Sequence, residues 1–226
     1  MKTIRWRNNP SSWNGERGRF TDFAARRYGP AGPDVIGAEI GVLNGDHVLE
    51  FFDRPFMPIK RFYLIDPYEA YSDYHDHNRT GVDAAKDKAI SVLGSLHTWN
   101  PMCEEETFQW LFSQSSIAVD AITDLLDFVY IDGNHAKEYA YADLWNYVEL
   151  VKVGGIIGGH DYYHREDPTN LCGVKEVVDE FHRLTDSTLY LDGTCEQDWP
   201  DWWFIKDEAM TLKLAEIRRK GSNARI

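Results

Sequence analysis

The stretch that decides the fold is "DFVYIDGNHAKEYAYADLWNYVELVKVGGIIGGHDYY", residues 127–163. It opens with a short apolar run that ends at Asp132, and it closes with a second apolar run that ends at His160 and Asp161. A strand, a helix and a second strand in this order predict a βαβ unit of a parallel sheet. Between the runs, apolar residues mark one face of the helix, namely Ala140, Leu144, Tyr147, Val148 and Val151.

Short apolar runs on both sides extend this unit into a doubly wound sheet. We expect strands in "DVIGAEIGV", "RFYLIDPY" and "TFQWLF" before it. "STLYLDG" and "DWWFIK" after it should form an antiparallel hairpin at the sheet edge. Helical spacing predicts helices over residues 82–96 and 174–184, and a short helix over residues 118–126. The central helix should end at Gly154 and Gly155, because glycine readily takes the left-handed C-cap conformation.

Length and composition fit one globular domain, since 226 residues with 43% hydrophobic content can bury a full core. We expect a lid or helical extension over residues 1–34, a Rossmann-like α/β core over residues 35–206 and a tail over residues 207–226. No secretory apolar segment and no run of about 18 apolar residues is present, which predicts a cytoplasmic protein. Three scattered cysteines without CxxC spacing predict reduced thiols: Cys103, Cys172 and Cys195.

The net charge of -13 is concentrated in the middle of the chain. Residues 1–27 hold seven Lys and Arg against two Asp and Glu, and residues 213–226 hold five against one. An acidic body repels phosphate backbones, which argues against nucleic acid as the substrate, although the basic ends suit contact with an anionic partner. The sequence therefore favours a small-molecule partner without a membrane, and it is compatible with a homo-oligomer.

The residues that end the strands indicate a nucleoside cofactor, because ligands of open parallel sheets bind beyond the carboxyl ends of the strands. Asp66 follows the second strand, where a carboxylate suits the two ribose hydroxyls. The first turn reads "EIGVLNGD" and places Leu43 where a dinucleotide fold needs glycine. Glu39 beside this turn would repel phosphates but suits the amino group or sulfonium of S-adenosylmethionine.

Four segments carry a family resemblance: "AEIGVLNGDHV", "FYLIDPY", the stretch of residues 127–163 and "DWWFIK". Together they resemble class I S-adenosylmethionine-dependent methyltransferases. Within that class they look most like the bacterial small-molecule and sugar O-methyltransferases that include macrocin O-methyltransferase and cephalosporin-hydroxylase-like proteins. The resemblance covers residues 35–206 and implies a seven-stranded sheet, mostly parallel, with an antiparallel last strand.

The resemblance also implies a set of cofactor contacts at the strand ends. The first turn would pass under the methionine moiety, with Glu39 contacting that moiety or ordering the turn. Asp66 would hold the ribose, and Gln114 with Ser115 would contact adenine. The full predicted set is Glu39, Gly41, Val42, Gly45, Asp66, Gln114, Ser115 and Asp132.

Asp132, His160 and Asp161 form a predicted divalent metal site. In metal-dependent relatives, an Asp after the fourth strand and an acidic pair after the fifth bind a cation, typically Mg²⁺. His160 departs from that pattern, because imidazole favours Zn, Fe or Mn. Two carboxylates and an imidazole at adjacent strand ends would repel or desolvate one another without a cation or substrate between them. The alternative is that both carboxylates cap helices and His160 bonds to a neighbour.

His135 is the candidate general base, because a neutral imidazole can accept a hydroxyl proton. Together with Asp132 it forms the predicted catalytic pair, and Asp143 would orient His135 or a backbone group. The expected reaction is O-methylation of a small molecule such as a sugar. Two alternatives are a non-catalytic protein that binds S-adenosylmethionine or a nucleoside, and, on the same sheet, an NAD-dependent oxidoreductase.

Several further features have two interpretations. The loop over residues 68–81 and the stretch before Tyr28 are lid candidates or surface decoration. His75 and His77 in that loop have a spacing that suits a metal, but solvation is the simpler expectation. Gly158 and Gly159 predict close approach of backbone to a ligand. Three tryptophans would wall a pocket or join the core: Trp199, Trp202 and Trp203.

Overall fold

The computed structural model describes residues 5–7, 20–29, 33–52, 57–69, 81–98, 100, 103–162, 172–192 and 200–223. Its strands are β1 (Arg5–Arg7), β2 (Val35–Ile40), β3 (Ile59–Ile65), β4 (Phe108–Leu111), β5 (Leu126–Ile131), β6 (Val151–Gly159), β7 (Tyr190–Asp192) and β8 (Trp202–Ile205). Its helices are α1 (Phe20–Tyr28), α2 (Asp46–Phe52), α3 (Val82–Gly94), α4 (Ser115–Ala118), α5 (Lys137–Leu150), α6 (Val174–Thr185) and α7 (Glu208–Asn223).

All eight described strands belong to one sheet, in the order β1-β7-β8-β6-β5-β2-β3-β4. Only β8 runs antiparallel to its neighbours, β6 and β7. Strands β2 to β8 therefore confirm the predicted seven-stranded, mostly parallel sheet with an antiparallel last strand. Strand β1 was not predicted, because three residues are too few to show a period. It pairs with β7 and occupies the edge, so the β7–β8 hairpin does not lie at the edge as expected.

Helices cover both faces of the sheet, as a doubly wound fold requires. On one face, Phe20 of α1, Phe51 of α2 and Ala89 of α3 belong to a buried apolar cluster. On the other face, Leu144 of α5 and Phe181 of α6 belong to a second buried cluster. The central strand β5 is buried along its whole length, which explains its nearly continuous apolar sequence.

Helix α5 ends four residues earlier than the predicted C-cap at Gly154. The helix ends at Leu150 and β6 begins at the next residue, so neither Gly154 nor Gly155 is a C-cap. Gly154 lies inside β6 with a φ of 89°. The Lys206 ammonium, which follows β8, donates 2.8 Å hydrogen bonds to the carbonyls of Val148 and Val151. Because this lysine, remote in sequence, satisfies the carbonyls at the end of α5, the helix needs no glycine C-cap.

The helix expected over residues 118–126 is also misplaced. Helix α4 ends at Ala118, a single 3₁₀ turn follows over Val119–Ala121, and Ile122 is already extended. The chain must straighten there because β5 begins at Leu126.

The two glycines at the end of β6 leave room for neighbouring protein atoms. A Cβ on Gly158 would lie 2.5 Å from the Trp202 carbonyl, and one on Gly159 would lie 2.1 Å from the Ile131 carbonyl. These glycines therefore allow close approach of the adjoining strands. Trp202 and Trp203 are buried in the core, as expected for at least one of the tryptophans.

The terminal helices both pack against the central core. Phe20 is fully buried, and its amide donates a 2.9 Å hydrogen bond to Asp201 Oδ2. Met210 and Leu214 of α7 are buried in the second cluster. Among the described helices, none is long and apolar enough to span a membrane. Some predictions concern residues outside the described ranges: those on His75, His77, Cys195, Trp199 and the loop residues 70–80.

Candidate cofactor and acceptor site

A pocket opens at the carboxyl ends of β2 to β5, between these strands and α5. This is the edge at which the sequence predicted a nucleoside. Six of the predicted site residues line it: Gly41, Asp66, Gln114, Ser115, Asp132 and His135. The pocket also includes residues that the sequence did not single out, among them Tyr68, Asn134 and Tyr139.

Asp66 is fixed by backbone hydrogen bonds from two loops. Its Oδ2 accepts from the Leu43 amide at 3.0 Å, and its Oδ1 accepts from the Tyr68 amide at 2.8 Å. The Tyr68 hydroxyl in turn donates to the Leu43 carbonyl at 2.8 Å. Leu43 itself has a φ of 46°, a conformation that is uncommon outside glycine. The carboxylate therefore joins the turn after β2 to the loop after β3.

Gly41 allows β2 and β5 to approach closely at the pocket floor. Its φ is 86°, and a Cβ built on it would lie 2.0 Å from the Asp132 carbonyl oxygen. The Asp132 amide donates to the Ile40 carbonyl at 2.8 Å. Only glycine fits this position, because a side chain would collide with backbone.

Replacing Gly41 with alanine should therefore destabilise the protein by roughly 3 kcal/mol or more. Urea unfolding followed by circular dichroism measures this change. Gly94→Ala is the matched control, since a Cβ there meets nothing within 4 Å. We expect that control to stabilise α3 by up to about 1 kcal/mol. Equal midpoints for the two variants would contradict the close approach.

Three predicted cofactor residues do not line the pocket. Val42 is buried in the first apolar cluster, and Gly45 closes the turn with a φ of 77°. The Glu39 carboxylate is 1% exposed and lies 2.9 Å from His47 Nδ1. Burial raises the pKa of Glu39, while His47 opposes that rise. This position suits the predicted role of ordering the turn better than direct contact with the cofactor.

Asp132, His135 and Asp161 form a cluster at the rim of the pocket. His135 Nε2 lies 2.8 Å from Asp161 Oδ2 and 3.4 Å from Asp132 Oδ1. One ligand atom from each residue lies within 4.8 Å of the others. Asp161 Oδ1 is buried without a hydrogen bond. Two carboxylates, an imidazole and an unsatisfied oxygen fit a divalent cation.

His135 thus occupies the place that the sequence assigned to His160. Asp161 has a φ of 59°, and His160 Nδ1 lies 3.3 Å from the Asp161 Oδ1 atom. The other ring nitrogen is 3.9 Å from Asp201 Oδ1. Burial lowers the pKa of His160, but Asp161, Asp132 and Asp201 outweigh that effect and raise it to about 9. His160 therefore lies beside the cluster and is not one of its members.

Asp143 was expected to orient His135 or a backbone group, but its described partner is the Ser115 side chain. Its Oδ1 accepts a 2.5 Å hydrogen bond from the Ser115 hydroxyl. The residue is 3% exposed and lines the pocket. Burial raises its pKa to about 7, and the Ser115 hydroxyl lowers it less than burial raises it.

This carboxyl makes stability depend on pH. Its ordinary pKa is 3.8, and the folded state binds the proton more tightly than the unfolded state does. The contribution of this proton to the free energy of unfolding is therefore complete below about pH 4 and is lost as pH rises through 7. Between pH 4 and pH 8 the protein should lose on the order of 4 kcal/mol relative to Asp143→Asn. Urea unfolding of both proteins at the two pH values tests this. Parallel stability curves for the two proteins would contradict it.

The pocket and the cluster of two carboxylates and an imidazole define a candidate ligand site at the carboxyl edge of an α/β sheet. Over residues 39–162, more than half of its length, the chain matches the family model described as a methyltransferase domain. The chain therefore belongs to the methyltransferase domain family and is an S-adenosylmethionine-dependent methyltransferase. Comparison with curated proteins gives no match.

Solved structures with the same fold differ in their acceptors. An O-methyltransferase from Bacillus cereus in complex with SAH has a TM-score of 0.55 at 14% identity, covering 88% of this chain and 84% of that one. CalS11, a TDP-rhamnose 3'-O-methyltransferase of calicheamicin biosynthesis, has a TM-score of 0.54 at 15% identity, and the match covers 83% of this chain and 78% of CalS11. The N-methyltransferase NodS from Bradyrhizobium japonicum has a TM-score of 0.51 at 14% identity, and the match covers 83% of this chain and 94% of NodS. At these identities the likeness is one of fold.

Proposed function

We propose that this enzyme transfers the methyl group of S-adenosylmethionine to a hydroxyl group of a small molecule, such as a sugar or another polyol-like metabolite. The observation that carries the proposal is the cluster of Asp132, His135 and Asp161. Asp132 and His135 line the pocket and also belong to the cluster. An acceptor bound at the cluster would therefore adjoin a cofactor bound in the pocket.

The cofactor assignment is supported by the pocket's own residues. The Asp66 carboxylate is held at the pocket wall by the Leu43 and Tyr68 amides, at the strand end where the family resemblance places the ribose hydroxyls. Gly41 keeps the floor free of a side chain, where the methionine moiety would pass. Gln114 and Ser115 line the other end, where adenine would lie.

A divalent cation fits the cluster, with Asp132, His135 and Asp161 as its ligands. Such a cation would lower the pKa of a bound hydroxyl and so favour its attack on the methyl group. The mixed oxygen and nitrogen ligands suit Mn, Fe or Zn as well as Mg. His160 would not be a ligand in this arrangement. Its positive charge would instead partly offset the negative charge of Asp161 and Asp201.

Without a cation, His135 would accept the proton of the acceptor hydroxyl. Asp161, 2.8 Å from its Nε2, would fix the ring orientation and stabilise the imidazolium that forms. Most of the acceleration would come from holding the acceptor oxygen in line with the sulfonium methyl group. The same three residues thus serve the reaction with or without a metal.

An O-methyl acceptor is favoured over an N-methyl acceptor by this acidic edge. Neutral hydroxyl groups need deprotonation for attack, and a carboxylate with an imidazole or a cation provides it. The solved neighbours that act on oxygen, CalS11 among them, make a sugar a reasonable first acceptor class. This supports the narrower proposal of a place beside the macrocin O-methyltransferase and cephalosporin-hydroxylase-like group.

Transfer of isotopically labelled methyl from S-adenosylmethionine to a panel of sugars, nucleotide sugars and phenolic polyols tests the proposal. The panel should be run after chelation with EDTA and again with Mg²⁺, Mn²⁺ or Zn²⁺ added back. Label in an ether-linked methyl group supports O-methylation, and recovery only with added metal supports the cation. Label only on amines would reject O-methylation. Cofactor binding without transfer to any acceptor would favour a non-catalytic binding protein.

A further inference from the structure

Strand β4 lies at one edge of the described sheet, where it pairs on one side only, with β3. Amides of β3 and of the residue after it donate hydrogen bonds to the carbonyls of Thr107 and Leu111. Because the peptide groups of a strand point alternately to its two sides, the carbonyls and amides of Phe108 and Trp110 point away from β3. Such an outward row of donors and acceptors is a template for pairing with a further strand.

The two edges of the described sheet differ in charge. At the opposite edge, β1 reads Arg-Trp-Arg, and charged side chains on an edge strand discourage pairing with another chain. Strand β4 has no such protection, because residues 107–119 contain no Asp, Glu, Lys or Arg. Of the two edge strands that the structure describes, β4 is therefore the one that is open to association.

Exposed apolar side chains adjoin the β4 edge. Phe112, directly after β4, is 46% exposed and stacks on Trp110 with 5.4 Å between the ring centres. The Lys86 ammonium of α3 lies 4.2 Å from the centre of the Phe112 ring, which places α3 beside this edge. Ile90, one turn further along the same face of α3, is 41% exposed. Exposed aromatic and aliphatic side chains next to an edge strand are typical of a protein interface.

The distribution of charge favours a second copy of this chain as the occupant of this edge. With a net charge of -13, two copies repel each other over most of their surfaces, so they would meet where charge is absent or complementary. Lys86 makes no ion pair with any described residue, and its ammonium faces the Phe112 and Tyr68 rings. Glu106 is exposed two residues before β4 begins. A cation and an anion thus stand near opposite ends of an uncharged strand.

We propose that two copies of this chain pair through antiparallel β4 strands, about a two-fold axis at Gln109, and so form one continuous sheet across the dimer. In this register Phe108 of one copy pairs with Trp110 of the other. The two symmetric pairs exchange about four main-chain hydrogen bonds, which use the outward-pointing groups of both residues. The pairing does not depend on the reaction proposed above, because the two pockets open on opposite sides of an antiparallel dimer.

The same register brings the two unlike charges together. Glu106 lies three residues before the axis and therefore stands opposite Phe112 of the other copy, which lies three residues after it. Lys86 stands over the ring of that Phe112, so it meets Glu106 across the interface. The two-fold axis repeats this contact, and each copy supplies one cation and one anion.

Sedimentation equilibrium of the purified protein should show a dimer that dissociates on dilution. Gln109→Lys should raise the dimer dissociation constant at least about tenfold, because it sets two lysines face to face across the axis. The Gln109 side chain is exposed and donates to the nearby Glu106 carbonyl, so the variant should keep its fold, which circular dichroism verifies. A wild-type protein that stays monomeric, or a dimer unaffected by Gln109→Lys, would overturn the proposal.

Leu212→Lys is the matched control for the added charge. Leu212 is 73% exposed on α7, which follows β8, and four strands separate β8 from β4. The dimer dissociation constant of this variant should stay within about twofold of wild type. Equal weakening by both lysine substitutions would show a general effect of charge and would rule out pairing at β4.

A charge swap tests the contact between Lys86 and Glu106. Lys86→Glu and Glu106→Lys should each weaken the dimer by roughly tenfold, because each places like charges together at two symmetric positions. The double variant restores unlike charges and should return the dissociation constant to within about threefold of wild type. Additive weakening in the double variant would contradict the proposed register.

Gln109→Cys tests the axis directly. Gln109 faces its own copy at a position without main-chain hydrogen bonds, where the two Cα atoms are about 4.5 Å apart, within the range of a disulfide. Mild oxidation should convert this variant into a covalent dimer, whereas the wild-type chain with its three cysteines and Leu212→Cys should stay largely uncrosslinked. A dimer in solution whose Gln109→Cys variant forms no such disulfide would show that another surface joins the copies.

Discussion

Asp161→Asn is expected to lower the rate of methyl transfer by about a hundredfold to ten-thousandfold, the range over which positioned acid–base groups act. Asp161 lies 2.8 Å from His135 and 3.3 Å from His160, so its charge holds both rings. Burial raises the pKa of Asp161, but its contacts with the His135 and His160 rings outweigh this and keep the pKa well below its usual range. The substitution removes that charge from the cluster.

Asparagine is the best substitute at this position for a structural reason. Asp161 has a φ of 59°, and asparagine, like aspartate, adopts the left-handed conformation more readily than other residues with a side chain. The variant should therefore keep the wild-type fold. Its affinity for S-adenosylhomocysteine should stay within about threefold of wild type, because Asp161 does not line the cofactor pocket. Steady-state rates with the best acceptor, together with calorimetry, measure the two effects. An unchanged rate would show that the cluster of Asp132, His135 and Asp161 does not take part in methyl transfer.

Asp66→Ala should abolish measurable binding of S-adenosylhomocysteine, which means a loss of at least about a hundredfold. Two ribose hydroxyls would each lose a bond to a charged acceptor, and such bonds contribute about 1.5–3 kcal/mol apiece. The variant also frees the Leu43 and Tyr68 amides that Asp66 now accepts from. Calorimetric titration with the ligand provides the measurement.

Asp46→Ala is the control for the loss of a nearby carboxylate. Asp46 begins α2 and its exposed side chain pairs with Lys88, away from the pocket lining. Its replacement should leave the affinity for S-adenosylhomocysteine within about twofold, since exposed ion pairs contribute little. If Asp66→Ala bound the ligand as well as Asp46→Ala does, the placement of the ribose at the end of β3 would be wrong.

A polar network on the far side of the sheet connects the turn after β2 with the acceptor edge. Glu39 pairs with His47, whose ring stacks on Tyr130 with 3.9 Å between the ring centres. The Tyr130 hydroxyl donates to Asp201 Oδ1 at 2.9 Å, and the same oxygen lies 3.9 Å from His160. Buried polar groups that satisfy one another fix side chains firmly. These contacts run from the turn after β2 to His160, although His47 Nε2 is buried without a hydrogen bond.

The alternation of apolar runs and helical stripes determined the architecture by itself. Strand β5 and helix α5 were readable because a buried parallel strand is apolar throughout and a covering helix is apolar on one face. The rule that ligands meet the carboxyl ends of strands then brought Asp66, Gln114, Ser115 and Asp132 to one edge, and the structure places them around one pocket. Their individual roles remain predictions.

Side-chain direction was decided only by the tertiary structure, since sequence order fixes where a strand ends but not which way its last residues point. Asp161 and His135 meet, while His160 points to Asp201, a residue 41 positions further along the chain. Asp143 bonds to Ser115 and not to His135. The Lys206 ammonium satisfies a carbonyl at the end of α5, where a glycine C-cap was expected. Each of these contacts joins segments that are remote in sequence, and local periodicity carries no information about them.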